Sequence, residues 1–184
     1  AGDIDVLVNK AGFGAAVPIE LIDPDAAHQL FETNTLGTLA MLQAVLPRFR
    51  ERRRGTIINV TSTVTLRPLP LVGVYRASKA AVNALSESLA VEMEPLGVRV
   101  HIVLPGRSPE TNFGNNAMPH LRGLDNVDYK PMIEGMIAQF REEGGPVTHA
   151  VDVADAIWLA ATDPSAPFKI AAGEDAVQWM AETG

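Results

Sequence analysis

Tyr75 and Lys79 stand four residues apart in Tyr75-Arg76-Ala77-Ser78-Lys79, a spacing that puts both side chains on one face of a helix. A phenol titrating near pH ~10 exchanges protons poorly at neutrality, and a cation a few ångströms away favours its phenolate. Lys79 could thereby make Tyr75 a usable acid or base. Alone, a Tyr-x-x-x-Lys pair is more often an ordinary feature of a helix surface, but two further residues change its meaning. Ser62 lies thirteen residues before Tyr75, just after a β-rich run ending Asn59-Val60. Parallel sheets bind ligands at that end of their strands, and the Ser62 hydroxyl could hold a carbonyl oxygen while Tyr75 exchanges the proton. Asn34 sits in an otherwise apolar helical stretch, Glu32-Thr33-Asn34-Thr35-Leu36-Gly37, where an amide is unfavourable.

Strands, helices and turns must bring these groups together. Short β-rich runs at 4–8, 56–60 and 98–104 read as buried strands, with a last one at 168–172. Between them, apolar periodicity predicts long helices over 25–54 and 75–94. Asp23-Pro24 opens the first, Pro47 should kink or interrupt it, and Arg48 to Arg54 supply cations at its C-terminal end before Gly55. Pro95 and Gly97 close the second. Strand, helix, strand, helix, strand implies an α/β fold with a parallel sheet covered on both faces, doubly wound. Residues 105–147 are long for a plain connection and scatter Phe113, Met118, Leu121, Leu124, Met132, Met136 and Phe140 through polar sequence. A lid or binding segment over 106–147 with one short helix is expected there, followed by a helix capped by Asp152 and running to about Thr162.

Asn34, Ser62, Tyr75 and Lys79, in this order and at these separations, resemble the catalytic tetrad of the compact short-chain dehydrogenases/reductases, and the resemblance covers nearly the whole chain. Asn9-Lys10-Ala11-Gly12 is similar to the family's Asn-Asn-Ala-Gly segment, with Lys10 in place of the second Asn. Pro105-Gly106 resembles its turn beside the nicotinamide, and Thr111 the threonine that follows, about one residue later than usual. The resemblance implies a Rossmann-like fold and NAD or NADP as cofactor, bordered by Asn9, Ala11, Gly12, Pro105, Gly106 and Thr111. It further implies hydride transfer to or from a carbonyl or alcohol, with Tyr75 as acid or base, Ser62 positioning the oxygen, Lys79 binding ribose and Asn34 supporting a proton relay. Family members commonly pair their two long helices, so a homodimer or homotetramer is expected.

The family's glycine-rich pyrophosphate turn and its first strands are not among these residues. Gly12-Phe13-Gly14 imitates such a turn but lacks the third glycine, and Pro18 follows where a helix should be under way. The chain opens Ala1-Gly2-Asp3 without Met and enters a strand almost at once, so it reads as a fold truncated at its N-terminus that binds the dinucleotide poorly. Alternatives are a non-catalytic or dimerising fragment of such an enzyme, and an extended-branch epimerase or dehydratase that shares Tyr-x-x-x-Lys.

Composition narrows the classes further. With 184 residues, 47% of them hydrophobic, the chain can build one domain, residues 1–184. Its 22 acidic against 15 basic residues give a net charge of −7, which argues against nucleic acid and anionic membranes as partners and leaves a small molecule. The lid's Met and Phe content suggests an apolar one. No Cys is present, so thiolate metal sites are excluded, and His28, His101, His120 and His149 lack metal-like spacing. No apolar run nears the roughly 18 residues of a membrane span, and a cytoplasmic location is expected.

Overall fold

The computed structural model describes residues 3–141 and 144–183. Four parallel strands, β1 (Val6–Asn9), β2 (Gly55–Val60), β3 (Val98–Pro105) and β4 (Lys169–Ala172), form one sheet in that order. The helices are α1 (Pro24–Phe31), α2 (Gly37–Arg52), α3 (Gly73–Met93), α4 (Phe113–Ala117), α5 (Lys130–Arg141), α6 (Ala150–Thr162) and α7 (Glu174–Thr183).

Alternation along the strands assigns the two faces. Leu7, Ile57, Val98 and Val100 meet Leu42, Val45 and Phe49 of α2 and Leu89 of α3. Ile58, Val60, Val103 and Ile170 point the other way, onto Ala156 and Ala160 of α6. Because both faces are covered, β2 is buried at every residue, the condition under which strands carry unbroken apolar runs. The sheet advances in one direction while the helical layer changes face, so the crossover into β4 has the opposite hand from the first two.

The structure differs from the sequence reading at β1, where Ile4, Val6 and Val8 are exposed and not buried, and in the helices. The long first helix is two α-helices joined by a π-helical turn, Glu32–Leu36, while Pro47 leaves α2 uninterrupted. Asp23 does open α1, accepting the Asp25 N–H at 3.1 Å. The arginines at its far end act locally: Arg53 ends α2 in the left-handed conformation, and Arg52 and Arg54 pair with Asp5. The segment 105–147 holds two helices, because Ile133, fully buried, anchors α5; the Phe140 side chain lies outside the described residues. His149, not Asp152, caps α6: Asp152 stands at the third helical position and accepts the His149 N–H at 2.7 Å. Finally α7, opened by Glu174 and Asp175, follows β4. Among the described residues no helix is long and apolar enough to cross a membrane, and no cluster of His, Asp and Glu could hold a metal ion.

Candidate active site

The site forms where β1, β2 and β3 end together. Asn9 and Asn59 are paired across β1 and β2. Asn9 Nδ2 donates to Asn59 Oδ1 at 2.8 Å, and Asn59 Nδ2 donates to Ser86 Oγ of α3 at 2.8 Å. Asn9 thus braces the strand ends against α3. Beyond it Ala11 and Gly12 are exposed, as is the unmatched Lys10.

Ser62 follows β2 directly in extended conformation, and its Oγ accepts the Val64 N–H at 3.3 Å. The loop after it swings to α3, whose first and second turns supply Tyr75 and Lys79, exposed by only 6% and 5%. Lys79 Nζ donates to the Val60 carbonyl at 3.1 Å. Leu71, buried in the left-handed conformation at φ 67°, accepts the Val17 N–H at 2.7 Å and ties this loop down. A branched side chain held there is a local strain of the kind that collects at functional sites.

Asn34 lies within the π turn and is fully buried. Its amide accepts the Phe13 N–H at 3.0 Å and donates to the Phe13 carbonyl and to Ser78 Oγ, each at 3.0 Å. Ser78 in turn donates to the Tyr75 carbonyl at 2.8 Å. The extra residue of the π turn turns an unfavourable mid-helix amide inward to clamp the Gly12–Phe13 segment to α3. Asn34, Gly12, Tyr75 and Lys79 therefore share one neighbourhood, with Ser62 facing the phenol. The side chain of Asn34 is fully committed to that clamp, and its own carbonyl accepts from Thr38 Oγ1 at 3.0 Å.

Burial governs the charges. It pushes the Tyr75 phenol up to about 12, with hydrogen bonding to Ser62 acting the other way, and it lowers the Lys79 ammonium to about 8. The sequence suggests a phenol assisted by its neighbouring cation. In the structure desolvation prevails, because Phe13, Leu21, Val64, Val72 and Val74 pack against the cluster around Tyr75, and the Phe113 ring at the start of α4 stands 5.7 Å from the Tyr75 ring. Ser62, not the cation, supplies the opposing influence. At neutral pH the Tyr75 phenol is protonated.

The segment after β3 closes the other side. Thr111 Oγ1 donates to the Ser108 carbonyl at 2.9 Å and accepts the Phe113 N–H at 3.3 Å, so it shapes the entry to α4. The same segment then carries His120 onto Phe13, with ring centroids 4.9 Å apart. Two side chains that no local pattern marks, Thr148 and Asp175, hold the turn at Gly106 and Arg107 across 42 and 68 residues of sequence.

These residues fit the nicotinamide-ribose half of a dinucleotide. Lys79 has three donors and only the Val60 carbonyl as a protein acceptor among the described residues, so it can reach hydroxyls placed over the bare backbone of Gly12. A Cβ on Gly12 would fall 2.8 Å from Asn34 Oδ1 and 3.1 Å from Lys79 Nζ. Gly12→Ala should therefore displace both groups and lower turnover about tenfold or more, equivalent to ~1.4 kcal/mol of barrier. Steady-state rates of the two proteins check this. Gly12-Phe13-Gly14 does not form a phosphate loop, because the Phe13 N–H is already donated to Asn34 and Gly14 is buried under Phe113.

Residues 1–120 match the family model of the short chain dehydrogenases. An uncharacterised oxidoreductase of Schizosaccharomyces pombe is 34% identical over 98% of this chain and 75% of its own length. A short-chain dehydrogenase from Streptomyces avermitilis superposes with a TM-score of 0.84 at 30% identity, over 98% of this chain and 64% of that one. A serine dehydrogenase in closed form with NADP+ gives 0.79 at 28% identity, over 94% of this chain and 66% of that one. The chain thus spans less than two thirds of either solved chain.

Proposed function

The chain belongs to the short-chain dehydrogenase family, and from that membership and its site we propose that it is an NAD(P)-dependent oxidoreductase interconverting a carbonyl compound and its alcohol. The observation that carries this reading is the buried Tyr75 phenol, held protonated beside Ser62 and on the same helix face as the buried Lys79 ammonium. The nicotinamide, when bound, supplies or takes up the hydride at the carbonyl carbon. Ser62 Oγ–H holds the carbonyl oxygen. As the C=O electron pair moves onto that oxygen, the Tyr75 O–H bond breaks toward it, and the product alcohol keeps the proton. The phenolate left behind is countered by the Lys79 ammonium, and the reverse sequence oxidises the alcohol. Asn34 and Gly12 fix the wall on which Lys79 acts, and Gly106 closes the opposite one. The lid and the apolar shell around Tyr75 exclude water during transfer.

The substrate class follows from the walls. Phe13, Val64, Val72 and Phe113 surround the phenol, and the lid leaves Met118, Leu124 and Met132 about half exposed. An apolar carbonyl compound suits this lining better than a charged one. Consumption of NADPH or NADH in the presence of decanal, by the chain joined to the glycine-rich N-terminal half of the family, tests the reading: saturable oxidation of one nucleotide supports it, and no oxidation of either with decanal or other carbonyl compounds contradicts it.

The same reading extends to assembly. The long helices leave Met41 and Val91 exposed, at 48% and 74%, on elements through which relatives could pair. A dimer or tetramer is expected by light scattering at tens of micromolar, and a strictly monomeric mass for folded protein would count against it.

A further inference from the structure

We propose that Asp175, together with Thr148, is a positioning residue for the reaction: it sets the turn Pro105-Gly106-Arg107 that forms the wall opposite Lys79. The inference rests on the dehydrogenase reading above and extends it to two residues more than forty positions from that turn.

The geometry leaves the turn little freedom. Thr148 is fully buried and Asp175 is 7% exposed. The Gly106 N–H donates to Thr148 Oγ1 at 2.9 Å, the Arg107 N–H donates to Asp175 Oδ2 at 2.6 Å, and the Thr148 N–H donates to the Arg107 carbonyl at 2.8 Å. The Thr148 hydroxyl has one proton to give. Asp175 Oδ1 and the Ala172 carbonyl both lie 2.7 Å away, and the carboxylate is the stronger acceptor. Each oxygen of Asp175 thus aligns one side of the turn, one directly and one through Thr148.

Two glycines are required by this arrangement. A Cβ on Gly106 would collide with the Asp175 carboxylate, so the backbone can lie against the acid only where the residue has no side chain. Gly173, at φ 99°, turns the chain from β4 into α7, and a Cβ there would collide with Thr148. That turn delivers Asp175 to the first turn of α7, where backbone N–H groups favour a negative charge. Asp175, directly and through Thr148, ties the end of β3 to the start of α7. At the end of β3, beside the reaction site, it fixes where the turn's carbonyls and N–H groups point.

Amide hydrogen exchange and nucleotide binding test the proposal on Asp175→Asn, Thr148→Val and Thr148→Ser. In Asp175→Asn and Thr148→Val, exchange at Gly106 and Arg107 should quicken about tenfold or more while the amides of β2 keep their protection, as expected for the loss of a charge-assisted or buried hydrogen bond. NADPH affinity, read by fluorescence titration, and the decanal-dependent kcat should each fall about tenfold, with KM for decanal little changed. Thr148→Ser, which restores the hydroxyl, should recover most of what Thr148→Val loses. Unchanged exchange at the two amides would overturn the clamp. Altered exchange with wild-type affinity and kcat would make it a purely structural brace and overturn the positioning role. If Asp175→Asn loses its β2 protection as well, the Thr148 pair decides between these outcomes. A wild-type protein that carries the glycine-rich N-terminal half and still binds neither NADPH nor NADH would refute the dehydrogenase reading itself, and the positioning role with it.

Discussion

Tyr75→Phe should lower turnover by about 10²–10⁴-fold, the range for loss of a positioned acid, while nucleotide binding and the melting temperature stay close to those of the parent. The ring of Tyr75 packs in an apolar cluster with Ala15, Val17 and Leu30, and phenylalanine preserves that packing. Only the hydroxyl is lost, and with it the proton that must reach the product oxygen. Burial strengthens the expectation: a phenol pushed up to about 12 is fully protonated through the neutral range and cannot be replaced by water in a site covered by Phe113. Steady-state rates with NADPH and decanal, set beside a fluorescence titration of NADPH, separate chemistry from binding. Equal turnover by the two proteins would remove Tyr75 from the mechanism.

Lys79→Met should inactivate the protein and stabilise it. Burial lowers the Lys79 ammonium from 10.5 to about 8, so at neutral pH the ligand-free fold carries a desolvated charge at a cost of about 3 kcal/mol relative to the same charge in the unfolded chain. Methionine has a similar shape without the charge. It forfeits the Nζ–H bond to Val60, worth about 1–2 kcal/mol, which leaves a net gain of about 1–2 kcal/mol and a higher melting temperature at pH 7. The sign follows from proton linkage. Between the folded value near 8 and the unfolded 10.5, the unfolded chain holds the extra proton. Wild-type stability therefore rises with pH across that window, and the advantage of Lys79→Met should shrink as pH increases. Turnover should respond oppositely, falling in wild type above about pH 8 in step with nucleotide affinity as the ammonium is lost. Lys79→Met melting below wild type at pH 7, or a stability difference unchanged up to pH 10.5, would contradict the account.

How much of this the sequence disclosed depends on how local each cause is. Strands β2 and β3 were legible because covering both faces of a parallel sheet favours runs rich in Ile and Val, and 56–60 and 98–104 are such runs despite Thr56, Asn59, Arg99 and His101. Tyr75 and Lys79 were legible because helical spacing alone puts them on one face. Asn34 could be singled out as an anomaly in a helix, but its contacts could not, since they depend on a π turn and on a backbone segment 21 residues earlier. The direction of the Tyr75 shift was misjudged for the same reason. It is set by what covers the ring, including Phe113 of α4, distant in sequence, and not by the cation one turn along the helix. Thr148 and Asp175 left no mark in the sequence because their partners are backbone amides, which carry no residue-type signal. The second helix of 105–147 and α7 were missed where short amphipathic stretches sit among Gly, Pro and polar residues.

The central claim is that this site moves a hydride between a nicotinamide and a carbonyl carbon. Incubating the protein with decanal and NADPH or NADH deuterated at the reactive ring carbon, and analysing the alcohol by mass spectrometry and NMR, measures that transfer directly. The account predicts decanol carrying one deuterium on its carbinol carbon from wild type, and almost none from Tyr75→Phe over the same time. Decanol without deuterium there, or no labelled alcohol from decanal or other carbonyl compounds when the wild type carries the glycine-rich N-terminal half, would contradict it.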